Sequence, residues 1–164
     1  AHVVDSDELN YLIQESNGNV LSCRPIYVDI GNDIAIVKPY GEFMVTKPQP
    51  YYTSMQKDLT AKEMYYAGNP GDLEHIALRG WVAESDHMRL VLQSFAWPGS
   101  SGSVVFDNKG LVVGVLSAIK VGYHGLGPWP QLHSSLVYVN RLNFYDKYML
   151  EELLVKWKNL KKEL

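Results

Sequence analysis

Pro98-Gly99-Ser100-Ser101-Gly102-Ser103 runs directly into Val104-Val105-Phe106, the turn Asp107-Asn108-Lys109-Gly110, and Leu111-Val112-Val113-Gly114-Val115-Leu116. Two apolar runs around a four-residue turn read as a β-hairpin. Both runs are nearly continuous in apolar residues, so both strands are expected to be buried. The hairpin also limits what the serine cluster can be. The nucleophile elbow of an α/β-hydrolase needs Gly-x-Ser-x-Gly followed by a helix; here position 103 is serine and a strand follows. A subtilisin-like set of Asp33, His75 or His87, and Ser101 fails in the same way, because its serine would also open a helix.

Outward from this hairpin, further short runs rich in Val, Ile and aromatic residues predict strands at Leu9–Gln14, Val20–Asp29, Ile34–Lys38, Met64–Ala67, Ile76–Ala83, Arg89–Phe95, Ser103–Phe106, Leu111–Ile119 and Leu136–Val139. They are punctuated by Ser16-Asn17-Gly18-Asn19, Gly31-Asn32 and Gly68-Asn69-Pro70-Gly71, residues that favour turns. Many short strands at such spacing predict an all-β barrel or sandwich. Lys47–Lys62 is polar and rich in Tyr and Pro, and reads as a linker between two halves. Gly122–Pro130 reads as a surface loop joining the last two strands. Over about 143–163 the period changes: Phe144, Tyr148, Leu150, Leu153, Leu154, Trp157, Leu160 and Leu164 approximate a helical stripe with Lys and Glu on the other face. Such a helix is expected to pack on the barrel, the alternative being a membrane-surface or partner helix.

The chain has 164 residues, 46% hydrophobic and 20% charged, which excludes wholesale disorder, collagen and coiled coil. A formal charge of −3 gives no electrostatic footprint for nucleic acid. No run approaches the roughly 18 apolar residues of a membrane span. The single cysteine, Cys23, excludes a disulfide scaffold and is expected to be a buried small hydrophobe. His75, His87, His124 and His133 lack close ligand spacing, so no metal is expected, and nothing calls for a cofactor.

Three features carry candidate chemistry. A nucleophilic serine needs a tight turn that exposes its hydroxyl and aims N–H groups at a developing oxyanion; alone, a Gly/Ser cluster is simply a loop. Gly31-Asn32-Asp33-Ile34-Ala35-Ile36-Val37 sets a carboxylate at the mouth of an apolar strand, where an unpaired charge would be costly; alone, it is a turn aspartate. Ala1-His2-Val3-Val4 places a histidine ahead of a strand-like pair, and a lone histidine is more often structural. Together they fall in the order His, Asp, Ser, which is the chymotrypsin-type order.

On these residues, and on Gly110-Leu111-Val112-Val113-Gly114-Val115-Leu116-Ser117 downstream, the chain resembles the trypsin-like serine peptidases. It is most similar to a disulfide-free branch that includes the bacterial high-temperature-requirement proteases or viral serine proteases. Ala67-Gly68-Asn69-Pro70-Gly71 with Gly80-Trp81-Val82 resembles the opening of the second barrel in that branch. The resemblance implies a chymotrypsin-like double β-barrel with a C-terminal α-helix, the first barrel remnant in 1–55 and the second barrel with its helix in 56–164. It implies His2 as general base then acid, Asp33 as its orienting carboxylate, and Ser101 as nucleophile. The N–H groups of Gly99 and Ser101 would form the oxyanion hole, and Ser117-Ala118-Ile119 would pair with a polypeptide substrate.

Departures from the family pattern carry expectations of their own. Ser100 replaces the acidic residue that captures a new N-terminus in trypsin-like zymogens, so activation by that route is not expected. Phe95, six before the serine, and Ile119 imply a small or apolar P1 preference. The strands that normally precede the histidine are lacking, so the first barrel is expected to be incomplete, the chain N-terminally truncated, and its activity weak or absent. The rival reading is a catalytically silent barrel that serves as a protein-binding module.

Overall fold

A computed structural model describes residues 2–4, 6, 10–51, 58–69, 76–124, 131–143 and 145–160. Ala1, Leu9, Pro70, Gly71, His75, Phe144 and Leu164, all named above, lie outside them, as do 125–130 of the expected surface loop. By contacts the chain divides into two units, 1–49 with 145–164, and 50–144.

The first unit is a three-stranded antiparallel sheet in the order β1 (Tyr11–Gln14), β2 (Val20–Asp29) and β3 (Ile34–Pro39). Its first hairpin turns at Gly18, whose φ of 86° suits a residue without Cβ. Central strands reject proline unless a bulge removes the need for its N–H; Pro25 sits at such a register shift, between the pairs Pro25–Val37 and Tyr27–Ile36. Glu15 is buried in this unit, and its carboxylate is fully engaged. It accepts the Asn19 side-chain amide at 2.6 Å and the N–H groups of Met44, Val45 and Thr46 at 2.8–2.9 Å. Burial pushes this carboxyl up, but those four donors outweigh it and hold it well below the usual carboxylate range.

The helix α1 (Lys147–Leu160) groups with this sheet, although chain order places it after the second barrel and the sequence pattern assigned it there. The reason lies in its aromatic residues and its lead-in. Tyr145 donates its hydroxyl to Asp29 at the end of β2 and packs edge-on against Tyr27, while Trp157 meets Tyr40. Asp146 caps the helix, accepting the Met149 N–H at 2.9 Å. Tyr148, expected on the packed stripe, is 80% exposed; the inward face is instead Met149, Leu150, Leu153, Leu154 and Trp157, all half-buried. No described helix is long and apolar enough to cross a membrane.

The second unit is a closed six-stranded barrel, which leaves no strand row open along its circuit. Its order is β4 (Glu63–Gly68), β5 (Ile76–Ser85), β6 (Arg89–Gln93), β9 (Gln131–Arg141), β8 (Val112–His124) and β7 (Val104–Asp107), with β7 returning to β4. Met64, Tyr66, Val82, Leu90, Leu92, Val105, Val113, Leu116, Val137 and Val139 fill it, joined by Leu59 from the segment read as linker. Each such side chain removed from water contributes about 1.5–3 kcal/mol. The predicted hairpin is present, with Val104 opposite Val115 and Val105 opposite Gly114. Contrary to the surface loop expected at 122–130, β8 and β9 stay paired out to His124 and Gln131; backbone ladder bonds extend the ribbon where the apolar pattern has already ended.

Candidate functional site

Asp33 is delivered by the β2–β3 turn, and that turn is built on Asp29. The Asp29 carboxylate accepts the Asn32 N–H at 2.9 Å and the Asn32 side-chain amide at 2.8 Å, besides the Tyr145 hydroxyl at 3.0 Å. Burial raises the Asp29 carboxyl, but these hydrogen bonds bring it below its ordinary value. Within the turn the Asp33 N–H donates to the Ile30 carbonyl at 3.3 Å. Asp33 itself has a φ of 51°, a left-handed conformation that aspartate tolerates better than most residues. The next residue, Ile34, is buried and paired with Asp29, so the strand fixes where the carboxylate emerges.

There Asp33 grips His2 at two points: Oδ1 accepts the His2 main-chain N–H at 2.7 Å, and Oδ2 lies 2.7 Å from the imidazole Nδ1. A carboxylate is acceptor only, so the imidazole donates from Nδ1–H, and in the neutral form this tautomer carries its lone pair on Nε2. Burial pushes the Asp33 carboxyl up, yet the hydrogen bonds it accepts, those from the His2 backbone and imidazole among them, hold it below its ordinary value. The pair is not sealed: the side chains of His2 and Asp33 remain 50% and 27% exposed. Of the expected residues, these two are brought together within the first unit.

Ser101 belongs to the second unit, on the loop between β6 and β7. Gly99 and Gly102 flank it with φ of 93° and 86°, values that L-residues with a Cβ rarely adopt. The loop is zipped onto β8: the Gly102 N–H donates to the Leu116 carbonyl at 2.8 Å, and the Leu116 N–H to the Ser103 carbonyl at 2.9 Å. The Ser101 hydroxyl donates to the Ser117 carbonyl at 3.3 Å. Ser117 falls at a register shift of β8 between Leu116 and Ala118, so its carbonyl is turned out of the regular ladder. Ala118 and Ile119 follow, paired with Tyr138 and Val137.

The amides of this loop divide into two sets. Those of Ser100, Gly102 and Ser103 donate to chain carbonyls, and that of Trp97 to the Ser100 hydroxyl at 3.2 Å. Those of Gly99 and Ser101 have no acceptor among the described residues. Two N–H groups next to a serine hydroxyl are what a tetrahedral oxyanion requires. Phe95, at 57%, and Trp97, at 43%, are exposed apolar surfaces on the approach to the loop.

Asp29, Tyr145 and Glu15 have no place in the sequence reading. Asp29 is the last residue of β2, and the Gly31-Asn32 turn just beyond it could have flagged it, because Asp and Asn side chains bond nearby backbone groups in turns. Nothing local marks Tyr145, whose partner lies 116 residues away. Ser100 stands out in the sequence only as a departure, and its bonds give that departure content.

Residues 1–115 match the family model of the trypsin-like peptidase domain. The match includes His2, Asp33, Gly99 and Ser101 and stops before Ser117. No curated protein sequence matches the chain. With a closed six-stranded barrel, a second β unit and a C-terminal helix beneath a match over most of its length, the chain belongs to the trypsin-like peptidase domain family.

Proposed function

We propose that this chain is a serine endopeptidase that cleaves polypeptides through an acyl-enzyme. Ser101 Oγ attacks the scissile carbonyl while His2 Nε2 takes its proton, and the same nitrogen then returns that proton to the leaving amine. A water repeats the cycle to release the acyl group. Asp33 holds the imidazole in the tautomer this needs and stabilises the imidazolium. The Gly99 and Ser101 N–H groups receive the oxyanion. Ser117-Ala118-Ile119 takes the substrate as an added strand, and the apolar surfaces of Phe95 and Ile119 favour a small or apolar P1 side chain. No cofactor enters this chemistry. Within the family, the lone buried Cys23 and the motifs around Asp33 and Ser101 favour the disulfide-free branch similar to bacterial high-temperature-requirement or viral serine proteases.

The observation that carries this reading is the two-point grip of Asp33 on His2, both contacts at 2.7 Å. A turn aspartate with a merely local role has no reason to hold an imidazole by Nδ1 across 31 residues. The test is labelling with a fluorophosphonate, read by intact mass. One adduct is expected, absent in Ser101→Ala, and formed about 10³–10⁴-fold more slowly in Asp33→Asn, which presents the wrong tautomer. Failure to label both in this chain and in one extended upstream, each folded, would instead make this a silent, protein-binding barrel.

A further inference from the structure

We infer that Ser100 is a positioning residue: its buried hydroxyl fixes Ser100 against Trp97, and with it the direction of the Ser101 N–H, without any activating ion pair. The inference rests on the peptidase reading for its catalytic consequence, though the lock itself does not.

Ser100 is 2% exposed, next to a Ser101 that is only half-buried. Its two polar groups close on the same residue from both sides. Its N–H donates to the Trp97 carbonyl at 3.0 Å, and its Oγ accepts the Trp97 N–H at 3.2 Å. A turn closed once, through its main chain, can still rotate its central peptide units. Closed a second time through a side chain, it fixes Ser100 itself against Trp97, while the centre of the turn is Pro98-Gly99, with Gly99 in a left-handed conformation that glycine adopts freely. The far end of the loop is fixed independently: Ser103 donates to the Ser100 carbonyl at 3.0 Å, and Gly102 to Leu116. Turning Ser100 so as to re-aim the 99–100 or 100–101 peptide would therefore break its bonds to Trp97 and leave a buried hydroxyl and a Trp97 N–H unpaired, which opposes it.

An acidic residue at this position would need a cation to remain buried, and would make the turn conditional on that partner. A serine needs only the amide three residues back. The Ser101 donor is thus held in place by local, uncharged contacts that need no activating partner.

The experiment uses Ser100→Ala beside Ser100→Thr, which keeps the oxygen, and Ser100→Cys, which keeps the volume but accepts hydrogen bonds weakly. In the wild-type chain the Trp97 amide should exchange with deuterium slowly. In Ser100→Ala its exchange should accelerate at least tenfold while the amides of Leu90 and Val139 are unchanged, a selective loss that general destabilisation would not give. On a peptide substrate kcat should fall about 10- to 100-fold with KM nearly constant, since the oxyanion forms only in the transition state. Ser100→Thr should recover most of it and Ser100→Cys little. If Ser100→Ala does not fold, the contrast between Thr and Cys decides on the same two readouts. Unchanged Trp97 exchange, or a change in KM alone, overturns the inference. A wild-type chain that, like its form extended upstream, neither turns over nor labels, but whose Trp97 protection is lost in Ser100→Ala, would instead sink the peptidase reading and leave the lock standing.

Discussion

In the barrel unit, Leu90, Leu92, Val105, Val137 and Val139 are wholly withdrawn from solvent, whereas the apolar residues buried in the three-stranded unit are Cys23, Pro25, Ile34 and Tyr145 among those described. The three-stranded unit is instead pinned by carboxylates: Glu15 gathers the 44–46 segment, Asp29 the β2–β3 turn and the start of the helix, and Asp33 gathers His2. Apolar burial is non-directional and proportional to area, so it can close a barrel but cannot aim an imidazole. Hydrogen bonds to charged acceptors are directional and comparatively strong, so they can aim one with little core behind it. The proposed nucleophile rides on the unit held by packing, and the proposed base on the unit held by polar contacts.

The sharpest way to break this contrast is a cavity. Leu92→Ala empties a fully buried site at the centre of the barrel core and should cost about 2–5 kcal/mol, read as a lower urea midpoint for the β5, β6 and β9 amides. If the protection of β1–β3 fell equally, the two units would be a single cooperative block and the contrast would be empty.

Acid should act the other way round. Glu15, Asp29 and Asp33 all have folded values below the ordinary carboxylate range. The stability they contribute is therefore complete above the unfolded-chain values of about 4, and is lost as the pH falls through their lowered folded values. Asp58 and Asp86 are also lowered, by hydrogen bonds in turns of the barrel unit, but there the apolar core remains. Descending through pH 4 to 2 should strip amide protection from β1–β3 before β5, β6 and β9. Glu15→Gln, which keeps the shape and loses the charge, should shift the β1–β3 transition at neutral pH in the same direction. Simultaneous loss in both units on acidification would show that carboxylates do not distinguish them.

The same division explains what could be read in advance. Strands announce themselves through apolar periodicity, so all nine runs, from Leu9–Gln14 to Leu136–Val139, overlap strands among the described residues; the first hairpin strand, expected to be buried, instead alternates, with Val104 45% exposed. Polar contacts leave no such trace. Glu15 looks like any exposed residue beside a Gly-containing turn, and only the fold brings three successive N–H groups onto it. Leu59 sits in a polar stretch that reads as linker, yet it plugs the barrel. The β8–β9 ribbon runs past the end of its apolar pattern because main-chain bonding needs no side-chain signature. Burial in the barrel unit extends to one arginine that periodicity does not favour: Arg141 bonds its guanidinium to the Asp86 carbonyl, and Asn143 donates to that of His87, so together they close the β5–β6 turn. The helical stripe was legible as a stripe, but its partner was not, since chain order says nothing of which sheet a terminal helix returns to.

That return gives the smallest and most local prediction. Tyr145→Phe keeps the buried ring and its edge-on contact with Tyr27 while deleting one hydrogen bond to Asp29. Its cost should be about 1 kcal/mol, because Asp29 retains both Asn32 donors. The consequence that matters is positional. With the hydroxyl gone, the Asp29 carboxylate keeps Asn32 and Tyr27 as partners, but the Asn32–Asp33 turn loses this tie to the start of the helix. Amide exchange at Asn32 and Asp33 should quicken several-fold while the Ser101 loop, carried by the barrel, keeps its protection. An equal loosening at Gly102 and Ser103 would mean that the nucleophile loop also depends on the helix, and that the barrel alone does not hold it.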